Sequence, residues 1–240
     1  MPANLRLLPT ESLSGPENMA ADEVMLLAAA DRSIASLRFY TWSVPTLSLG
    51  YFQPAAPRLT DVVWVRRPSG GAAILHHHEL TYCLALPIGA PWQTKESWIC
   101  RFHHLVTAAL ATFGVLADSV VCGQEKKLGD FLCFLHQTAG DLLINDAKIA
   151  GSAQRKLRGA LMQHGSILLK RSPHAPALEG IAELVENEIG VGELSDAIAR
   201  EMRSDTKWEI QEASWTEDER RRAAEIAQSK YSSESWNLKR

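Results

Sequence analysis

The sequence predicts an α+β fold in which one sheet packs against helices. Segments rich in β-branched and aromatic residues follow one another through the middle of the chain, separated by Pro and Gly. Helix-like segments lie before, between and after them, which is typical of an α+β domain. The chain has 240 residues, 46% of them hydrophobic, so we expect residues 1–240 to form a single domain around one substantial core.

The predicted elements follow from local patterns. Asn18 is a good N-cap for a helix at residues 19–30, and a second helix at residues 96–113 should end at Gly114. The predicted strands are residues 37–42, 46–50, 62–66, 72–76, 81–86, 119–122, 141–144, 148–154, 160–169 and 208–210. The C-terminal segment, about residues 175–240, is predicted to form surface helices at residues 178–188, 193–203 and 216–228.

The composition argues against several classes of protein. A net charge of −3 and a pI near 6.2 lack the basic character of a nucleic-acid binder. The four cysteines show no CxxC spacing, so we expect a reducing, cytoplasmic location rather than a disulfide scaffold. The longest mainly apolar segment, residues 105–117, is shorter than the ~20 residues that a membrane span needs. We therefore expect a soluble protein that binds neither nucleic acid nor membranes.

The segment RRPSGG at residues 66–71 is a candidate binding loop. Gly70 and Gly71 can adopt positive φ and leave backbone N–H groups open to a ligand oxygen. Because neighbouring strand residues point to opposite faces, only one of Arg66 and Arg67 should face a pocket. A tight turn with solvated arginines explains the same residues, and the pattern does not decide between the two interpretations.

Cys133 and Lys148 are the candidate catalytic residues, because a thiol and an amine can together transfer an acyl group. Cys133 lies in the apolar run FLCFL, where a buried structural cysteine is the simpler interpretation. Lys148 lies between Ala147 and Ile149 and precedes the sequence GSAQ. An inward-facing lysine there would need a specific role, and the pattern leaves its orientation undecided.

Histidines in the predicted strands give no clear metal signal. His76, His77 and His78 are consecutive, and consecutive strand residues cannot converge on one ion from the same face. His164 is a candidate for a pocket wall, although hydrogen bonds to neighbouring backbone groups would explain it equally well. No carboxylate cluster indicates Mg²⁺, so we predict no metal site.

Several motifs resemble the signatures of the lipoate-protein ligase and octanoyltransferase family, which is related to biotin protein ligases. They are NMAADE at residues 18–23, GYFQ at residues 50–53, RRPSGGAAILH at residues 66–76, KIAGSAQ at residues 148–154 and QHGSILL at residues 163–169. Motifs at several separate places in the right order are far more specific than one glycine-rich loop. The resemblance covers the chain from about residue 18 to residue 169.

The resemblance implies a fold like the biotin and lipoate protein ligase catalytic domain, with a mixed sheet, surrounding helices and a tunnel for a medium-length acyl chain. It also implies that Lys148 contacts the activated acyl carbonyl and that the RRPSGG loop lines the pocket. The substrate-binding residues expected on this basis are Arg67, Ser69, Gly70, Gly71, Ala72, His76, Gly151, Ser152, Ala153, His164 and Gly165.

Within this family the chain resembles the cysteine-dependent octanoyltransferases. ELTY at residues 79–82 is similar to that branch, and Cys133 precedes Lys148 by 15 residues, as the nucleophile does there. Ala72 departs from the branch, which often has arginine at this position. The implied reaction moves an octanoyl group from octanoyl-acyl carrier protein through a Cys133 thioester to the lysine of a lipoyl domain, without a cofactor. The acceptor would be the glycine-cleavage H protein or the E2 subunit of a 2-oxoacid dehydrogenase.

Three alternatives remain open from the sequence. A lipoate-protein ligase would use ATP and Mg²⁺ to form lipoyl-AMP, which Gly70, Gly71 and Lys148 would approach. A lipoyl amidotransferase would move the acyl group between lipoyl proteins through the same cysteine. A non-catalytic subunit of a split ligase would only bind the acyl group. For the helices of residues 178–240 the simplest expectation is that they cover the sheet, and the alternative is that they dock the acceptor.

Overall fold

A computed structural model of the chain describes residues 3–55, 62–127 and 131–240. The strands in these residues are β1 (Asn4–Leu13), β2 (Ala35–Trp42), β3 (Thr46–Leu49), β4 (Val63–Arg66), β5 (Ile74–His76), β6 (Glu79–Leu86), β7 (Asp118–Ser119), β8 (Lys126–Lys127), β9 (His136–Gln137), β10 (Leu142–Ile144), β11 (Ala147–Leu157), β12 (Ala160–Leu168) and β13 (Glu209–Glu212). The helices are α1 (Gly15–Arg32), α2 (Trp98–Ala111), α3 (Ile181–Val185), α4 (Val191–Thr206), α5 (Glu217–Ile226) and α6 (Glu234–Asn237). A 3₁₀ turn covers Cys133–Leu135, and a π-helical turn covers Ala227–Tyr231.

Eight strands form one mixed sheet in the order β13-β1-β2-β6-β12-β11-β10-β7. β1 runs parallel to both of its neighbours, β13 and β2, and all other neighbouring pairs are antiparallel. The central strand β6 is buried at every position. A strand that is buried on both faces needs a packing layer on each side of the sheet.

Helices supply those two layers. Side chains on one face of the sheet, such as Phe39 and Leu84, pack against α2 and α4. Their neighbours Tyr40 and Cys83 point the other way and pack against α1 and α5. This alternation along β2 and β6 is the period of a β-strand. The expected mixed sheet flanked by helices is therefore confirmed, and the helices of the last part of the chain do cover it.

A small sheet in the order β4-β3-β5 carries two of the predicted site segments, the RRPSGG turn and His76. The RRPSGG turn follows β4, and the chain then enters β5 through Ala73. The backbone N–H of Cys133 donates to the carbonyl of Ala73, with an N–O distance of 2.7 Å. The small sheet thus holds the candidate nucleophile beside the candidate binding loop.

The start of the first helix was predicted incorrectly. α1 begins at Gly15, after the N-cap Ser14, and Pro16 lies in its first turn. The backbone N–H of Ser14 donates to the carboxylate of Glu17 at 2.9 Å, as in a capping box. The Asn18 amide instead donates to the carbonyls of Leu13 and Thr41, so this residue lies inside the helix and ties it to β2.

Other elements also differ from the sequence prediction. β1 was not predicted at all, and the helix expected at residues 178–188 is limited to Ile181–Val185. The strand expected at residues 119–122 shrinks to the pair Asp118–Ser119, which leaves Cys122 exposed in a turn. Among the described residues, no helix is long and apolar enough to cross a membrane.

Candidate active site

A pocket lies between the small sheet and the large one, with about 500 Å³ of empty space that includes open solvent at its mouth. Its wall combines residues of both sheets with one residue of α1. These residues are Met19, Tyr40, Trp42, Ser48, Arg67, Gly70, Gly71, Ile74, His76, Thr81, Cys133, Phe134, Gly151, Ser152, Ala153, His164, Gly165 and Ser166. Ser69, Ala72 and Lys148 of the predicted set do not line the pocket themselves. The two segments expected to meet, around Gly70 and around Gly151, do line the same pocket.

Arg67 fixes the shape of the RRPSGG turn. Its guanidinium donates to the carbonyls of Gly70 at 2.8 Å, Ala72 at 2.6 Å and Ser48 at 2.9 Å. Gly71 has a φ of +91°, a conformation that favours glycine. Burial lowers the pKa of Arg67 to about 10, and the nearby Cys133 thiol acts in the opposite direction. Arg67 therefore remains a fixed positive charge beside the pocket at neutral pH.

Arg66 points away from the pocket, as expected for the neighbour of Arg67 in a strand. Its guanidinium donates to the carbonyls of Gly50 at 2.8 Å and Gln53 at 2.6 Å, and to the carbonyl of Asn237 at 3.0 Å. Only one of the two arginines lines the pocket, so the prediction from strand geometry is confirmed.

Cys133 and Lys148 come together at the pocket. Lys148 Nζ lies 3.7 Å from Cys133 Sγ and 3.4 Å from the Cys133 carbonyl oxygen. Lys148 faces inward, with 1% of its side chain exposed, whereas Cys133 is half-buried and lies in the 3₁₀ turn rather than in a strand. A thiol that is partly accessible and adjacent to an ammonium group has the environment in which reactive cysteines are found.

Two groups hold Lys148 in this position. Its Nζ lies 2.6 Å from Asp141 Oδ2 and donates to the His136 carbonyl at 2.9 Å. Asp141 also accepts hydrogen bonds from the backbone and hydroxyl of Thr138, at 2.7 and 2.9 Å. A Cβ at Gly151 would lie 2.8 Å from Lys148 Cε, so glycine leaves the space that the lysine side chain occupies. Sequence reasoning did not identify Asp141, although a carboxylate at the start of a strand just before Lys148 was a signal.

A second buried network supports the same region. His103 of α2 lies 2.5 Å from the Gly140 carbonyl through Nδ1 and 2.5 Å from Ser152 Oγ through Nε2. Burial lowers the pKa of His103, so the ring is neutral near pH 7 and its one N–H donates to the carbonyl. Nε2 then accepts from Ser152, whose oxygen also lies 2.5 Å from the Tyr82 hydroxyl. His103 was not predicted as part of the site.

His164 is held by side chains and not by the backbone groups considered from the sequence. Its Nε2 lies 2.5 Å from Ser69 Oγ, and its Nδ1 lies 3.0 Å from Asp22 Oδ2. Burial alone would raise the pKa of Asp22, but Arg38 and the hydrogen bond from His164 outweigh it, so the pKa lies below its usual value. Asp22 thus stays ionised and orients the His164 ring in the pocket wall.

The three consecutive histidines do not converge on one point: the rings of His77 and His78 stack on each other, with 3.6 Å between their centres, away from His76. His76 faces the pocket, where its Nδ1 lies 2.5 Å from Glu79 and its Nε2 lies 2.7 Å from Ser48 Oγ. His77 instead contacts Ser172 at 3.0 Å. In the part of the chain that the structure describes, no group of His, Cys, Asp and Glu side chains is arranged to hold a metal ion.

The chain is similar in sequence to a known family of proteins. Residues 14–203 match the model of the lipoyl protein ligase A/B catalytic domain. Octanoyltransferase LipM of Symbiobacterium thermophilum is 31% identical, with 100% of both chains covered. Octanoyltransferase LipM of Brevibacillus brevis is 28% identical, over 98% of this chain and 99% of that protein.

Solved structures show the same fold at lower identity. Lipoate-protein ligase A bound with ATP has a TM-score of 0.79 and 21% identity, with 99% of both chains covered. A bipartite lipoate protein ligase from Thermoplasma acidophilum, studied with its E2 lipoyl domain, has a TM-score of 0.74 and 21% identity, over 98% of this chain and 96% of that one. The family model matches most of the chain, and the chain therefore belongs to the lipoyl protein ligase A/B catalytic domain family.

Proposed function

We propose that the protein is an octanoyltransferase that moves an octanoyl group from octanoyl-acyl carrier protein to the lysine of a lipoyl domain through a thioester on Cys133. The observation that carries this proposal is the 3.7 Å separation between Lys148 Nζ and Cys133 Sγ beside a pocket with a largely apolar wall. The relatives named octanoyltransferase LipM, which align over almost the whole chain, support octanoyl transfer.

In the first step, the Cys133 thiolate attacks the carbonyl carbon of the donor thioester. The Sγ–carbon bond forms, the carbon–sulfur bond to the carrier breaks, and the carrier thiol leaves with the proton that Cys133 gave up. Lys148 is paired with the Asp141 carboxylate at 2.6 Å, so we assign it the role of a hydrogen-bond donor to the carbonyl oxygen. Exchange of one thioester for another is nearly balanced in energy.

In the second step, the lysine of the lipoyl domain attacks the octanoyl group on Cys133 as a neutral amine. The nitrogen–carbon bond forms, the bond to Sγ breaks, and the departing Cys133 sulfur takes up the proton that the amine loses. Because an amide is more stable than a thioester, this step drives the transfer. The thioester already carries the activation that ATP supplies to a ligase, so the reaction needs no nucleotide and no metal ion.

The test uses octanoyl-acyl carrier protein and an apo lipoyl domain without ATP. We expect octanoylation of the lipoyl domain and, when the acceptor is omitted, a hydroxylamine-sensitive octanoyl adduct on Cys133 detected by peptide mass spectrometry. Cys133→Ser should abolish the adduct, because a serine hydroxyl is a far weaker nucleophile at neutral pH. Cys122 is the internal control, since its thiol is exposed but does not line the pocket.

Two results would contradict the proposal in different ways. Strict dependence on ATP and Mg²⁺, with lipoyl-AMP formed when the acceptor is absent, would establish the ligase reaction. Transfer to the lipoyl domain without any adduct on Cys133 would exclude the covalent intermediate and leave direct attack on a bound donor.

A further inference from the structure

A surface beside the pocket, exposed at Phe52 and Arg240 and half-buried at its other residues, combines aromatic rings with positive charge. It consists of Tyr51, Phe52, Arg155, Lys239 and Arg240, and we call it the basic rim. Phe52 is 73% exposed, and its ring lies 3.8 Å from where a Cβ of Gly70 would be. Since Gly70 lines the pocket, Phe52 marks the place where this surface meets the pocket.

Two further contacts tie the basic rim to the walls of the pocket. Arg155 extends from β11, the strand that also carries Ser152 and Ala153, and donates to the Pro68 carbonyl at 2.8 Å. The backbone N–H of Tyr51 donates to the carbonyl of Ser69 at 2.8 Å. The basic rim is therefore built on the RRPSGG turn and on the strand that bears Lys148.

The positive groups cluster on the rings of this surface. Lys239 Nζ lies 3.7 Å from the centre of the Tyr51 ring and 3.6 Å from the Trp236 ring. The Arg240 guanidinium lies 5.6 Å from the Tyr51 ring and 5.7 Å from the Phe52 ring. The hydrogen bond from Lys239 and its charge lower the pKa of Tyr51, which is what a local positive potential does to a phenol.

Buried contacts fix the segment that carries Lys239 and Arg240. The Trp236 indole donates to the carbonyl of Arg66 at 2.8 Å, and the Arg66 backbone N–H donates to Asn237 Oδ1 at 2.8 Å. The Arg240 carbonyl accepts from the backbone N–H of Ala55 at 3.0 Å. These contacts fix the backbone that carries Lys239 and Arg240. The Arg66 guanidinium beneath the basic rim adds a buried positive charge.

Within the residues that the structure describes, the positive charges of the basic rim have no carboxylate partner. Among the ion pairs of residues 3–55, 62–127 and 131–240, none includes Arg66, Arg67, Arg155, Lys239 or Arg240. The whole chain nevertheless has a net charge of −3. An acidic protein therefore presents a local positive field beside its pocket, and such a field attracts anionic partners.

We propose that the basic rim docks the acyl donor, an acidic carrier protein that presents its acyl thioester on a phosphate-bearing arm. The proposal rests on the octanoyltransferase function. The charge favours the donor over the acceptor, because the donor arm is anionic whereas the acceptor brings a lysine, which unpaired positive charges repel. Aromatic and arginine side chains are also the residue types that dominate the energetics of protein interfaces.

The test is the double charge reversal Lys239→Glu/Arg240→Glu, compared with Arg200→Glu/Arg222→Glu. Arg200 and Arg222 are exposed on α4 and α5, and their reversal changes the net charge by the same amount. The measured quantity is the second-order rate constant for acylation of Cys133 by three donors: octanoyl-acyl carrier protein, octanoyl-phosphopantetheine and octanoyl-pantetheine. The last donor has the same thioester but neither a protein nor a phosphate.

We expect the reversal in the basic rim to slow acylation by octanoyl-acyl carrier protein at least tenfold. Acylation by octanoyl-pantetheine should stay within twofold of the wild-type rate, and the control pair should leave all three donors unchanged. Rising salt should slow acylation of the wild type by the carrier protein much more than acylation of the variant. The reason is that salt screens the steering charge, which the variant no longer carries. If the reversal slows acylation by both octanoyl-acyl carrier protein and octanoyl-phosphopantetheine, the contact is with the phosphate of the arm.

Two results would overturn the docking proposal: an unchanged rate with octanoyl-acyl carrier protein, or a defect confined to the lipoyl-domain half of the reaction. Failure of the proposed function gives a different result. In that case the wild-type protein would not be acylated on Cys133 by any of the three thioesters, so the two failures are distinguishable.

Discussion

Asp141 is central to how Lys148 can act on a substrate. An ammonium group has three donors, and in this structure they are directed at Asp141, the His136 carbonyl and Cys133. The first two contacts fix the position of Nζ, whereas the third is directed at the group that would react. Lys148 is therefore aimed at Cys133, and a thioester carbonyl bound there would replace the weakest of the three contacts.

The first prediction concerns this lysine. Lys148→Ala should slow acylation of Cys133 by about 10²-fold or more, the cost of losing one positioned donor. Lys156→Ala is the matched control, since Lys156 is an exposed lysine on the same strand and should have no effect. Thermal unfolding must show that the Lys148→Ala variant is folded at the assay temperature, because Asp141 loses its ion pair and keeps only the two hydrogen bonds from Thr138. Near-normal turnover by folded protein would remove Lys148 from the mechanism.

At the scale of elements, β11 positions much of the site. It carries Lys148 at its start and the pocket residues Gly151, Ser152 and Ala153 further along, and it pairs with β12, which contributes His164 and Gly165. Any change in the path of β11 therefore moves the candidate donor and the pocket wall together.

A second prediction tests this dependence through Gly151→Ala. The added Cβ would meet Lys148 Cε at 2.8 Å and Nζ at 3.0 Å, so the buried lysine must shift away from its position. We expect acylation to slow by roughly tenfold or more, because small displacements of a catalytic group are costly. Gly192→Ala is the control, since a Cβ there meets nothing within 4 Å and alanine is a better helix former. Equal activity of the two variants would show that Lys148 tolerates displacement.

The sequence predicted elements whose signal is local and missed those that depend on distant partners. β2 carries a dense run of aromatic and β-branched residues and β6 carries a largely apolar run, so their positions are apparent from the sequence. β1 contains Pro9 and several exposed polar residues, and it exists because it pairs with β2 and β13. The start of α1 was missed because Ser14 and Asn18 are both good N-caps, and only packing against β2 decides between them.

The same distinction applies to the site. The RRPSGG loop, Cys133 and Lys148 are recognisable as motifs, whereas Asp22 and His103 act through partners that no local pattern joins to them. Asp22 and His164 are separated by 142 residues, and His103 and the Gly140 carbonyl by 37. Supporting contacts of this kind become visible only when the sheet has brought the strands together.

At the scale of the whole molecule, buried histidines link stability to pH. Burial lowers the pKa of His103, against the opposing influence of the Gly140 carbonyl and Asp141, and it lowers the pKa of His76 against that of Glu79. In the unfolded chain both side chains return to the ordinary pKa of 6.5. Below that pH the unfolded chain binds more protons than the folded protein, and stability rises with pH wherever this is so.

The last prediction is therefore that the free energy of unfolding changes little between about pH 7.5 and 8 and decreases as the pH falls through 6.5 towards the lower folded-state values. Each such histidine can contribute a slope of up to about 1.4 kcal/mol per pH unit within that window. Urea unfolding at pH 7.5, 6.5 and 5.5 measures the slope, and His103→Gln should reduce it even though this variant is less stable at neutral pH. His104→Gln is the control, because His104 is an exposed neighbour on α2 whose charge is the smallest influence on the pKa of His103, so the slope should change far less than in His103→Gln. If the His103→Gln variant has the same slope as the wild type, His103 already takes up its proton in the folded protein. The assignment of a neutral His103 ring that accepts a hydrogen bond from Ser152 would then be wrong.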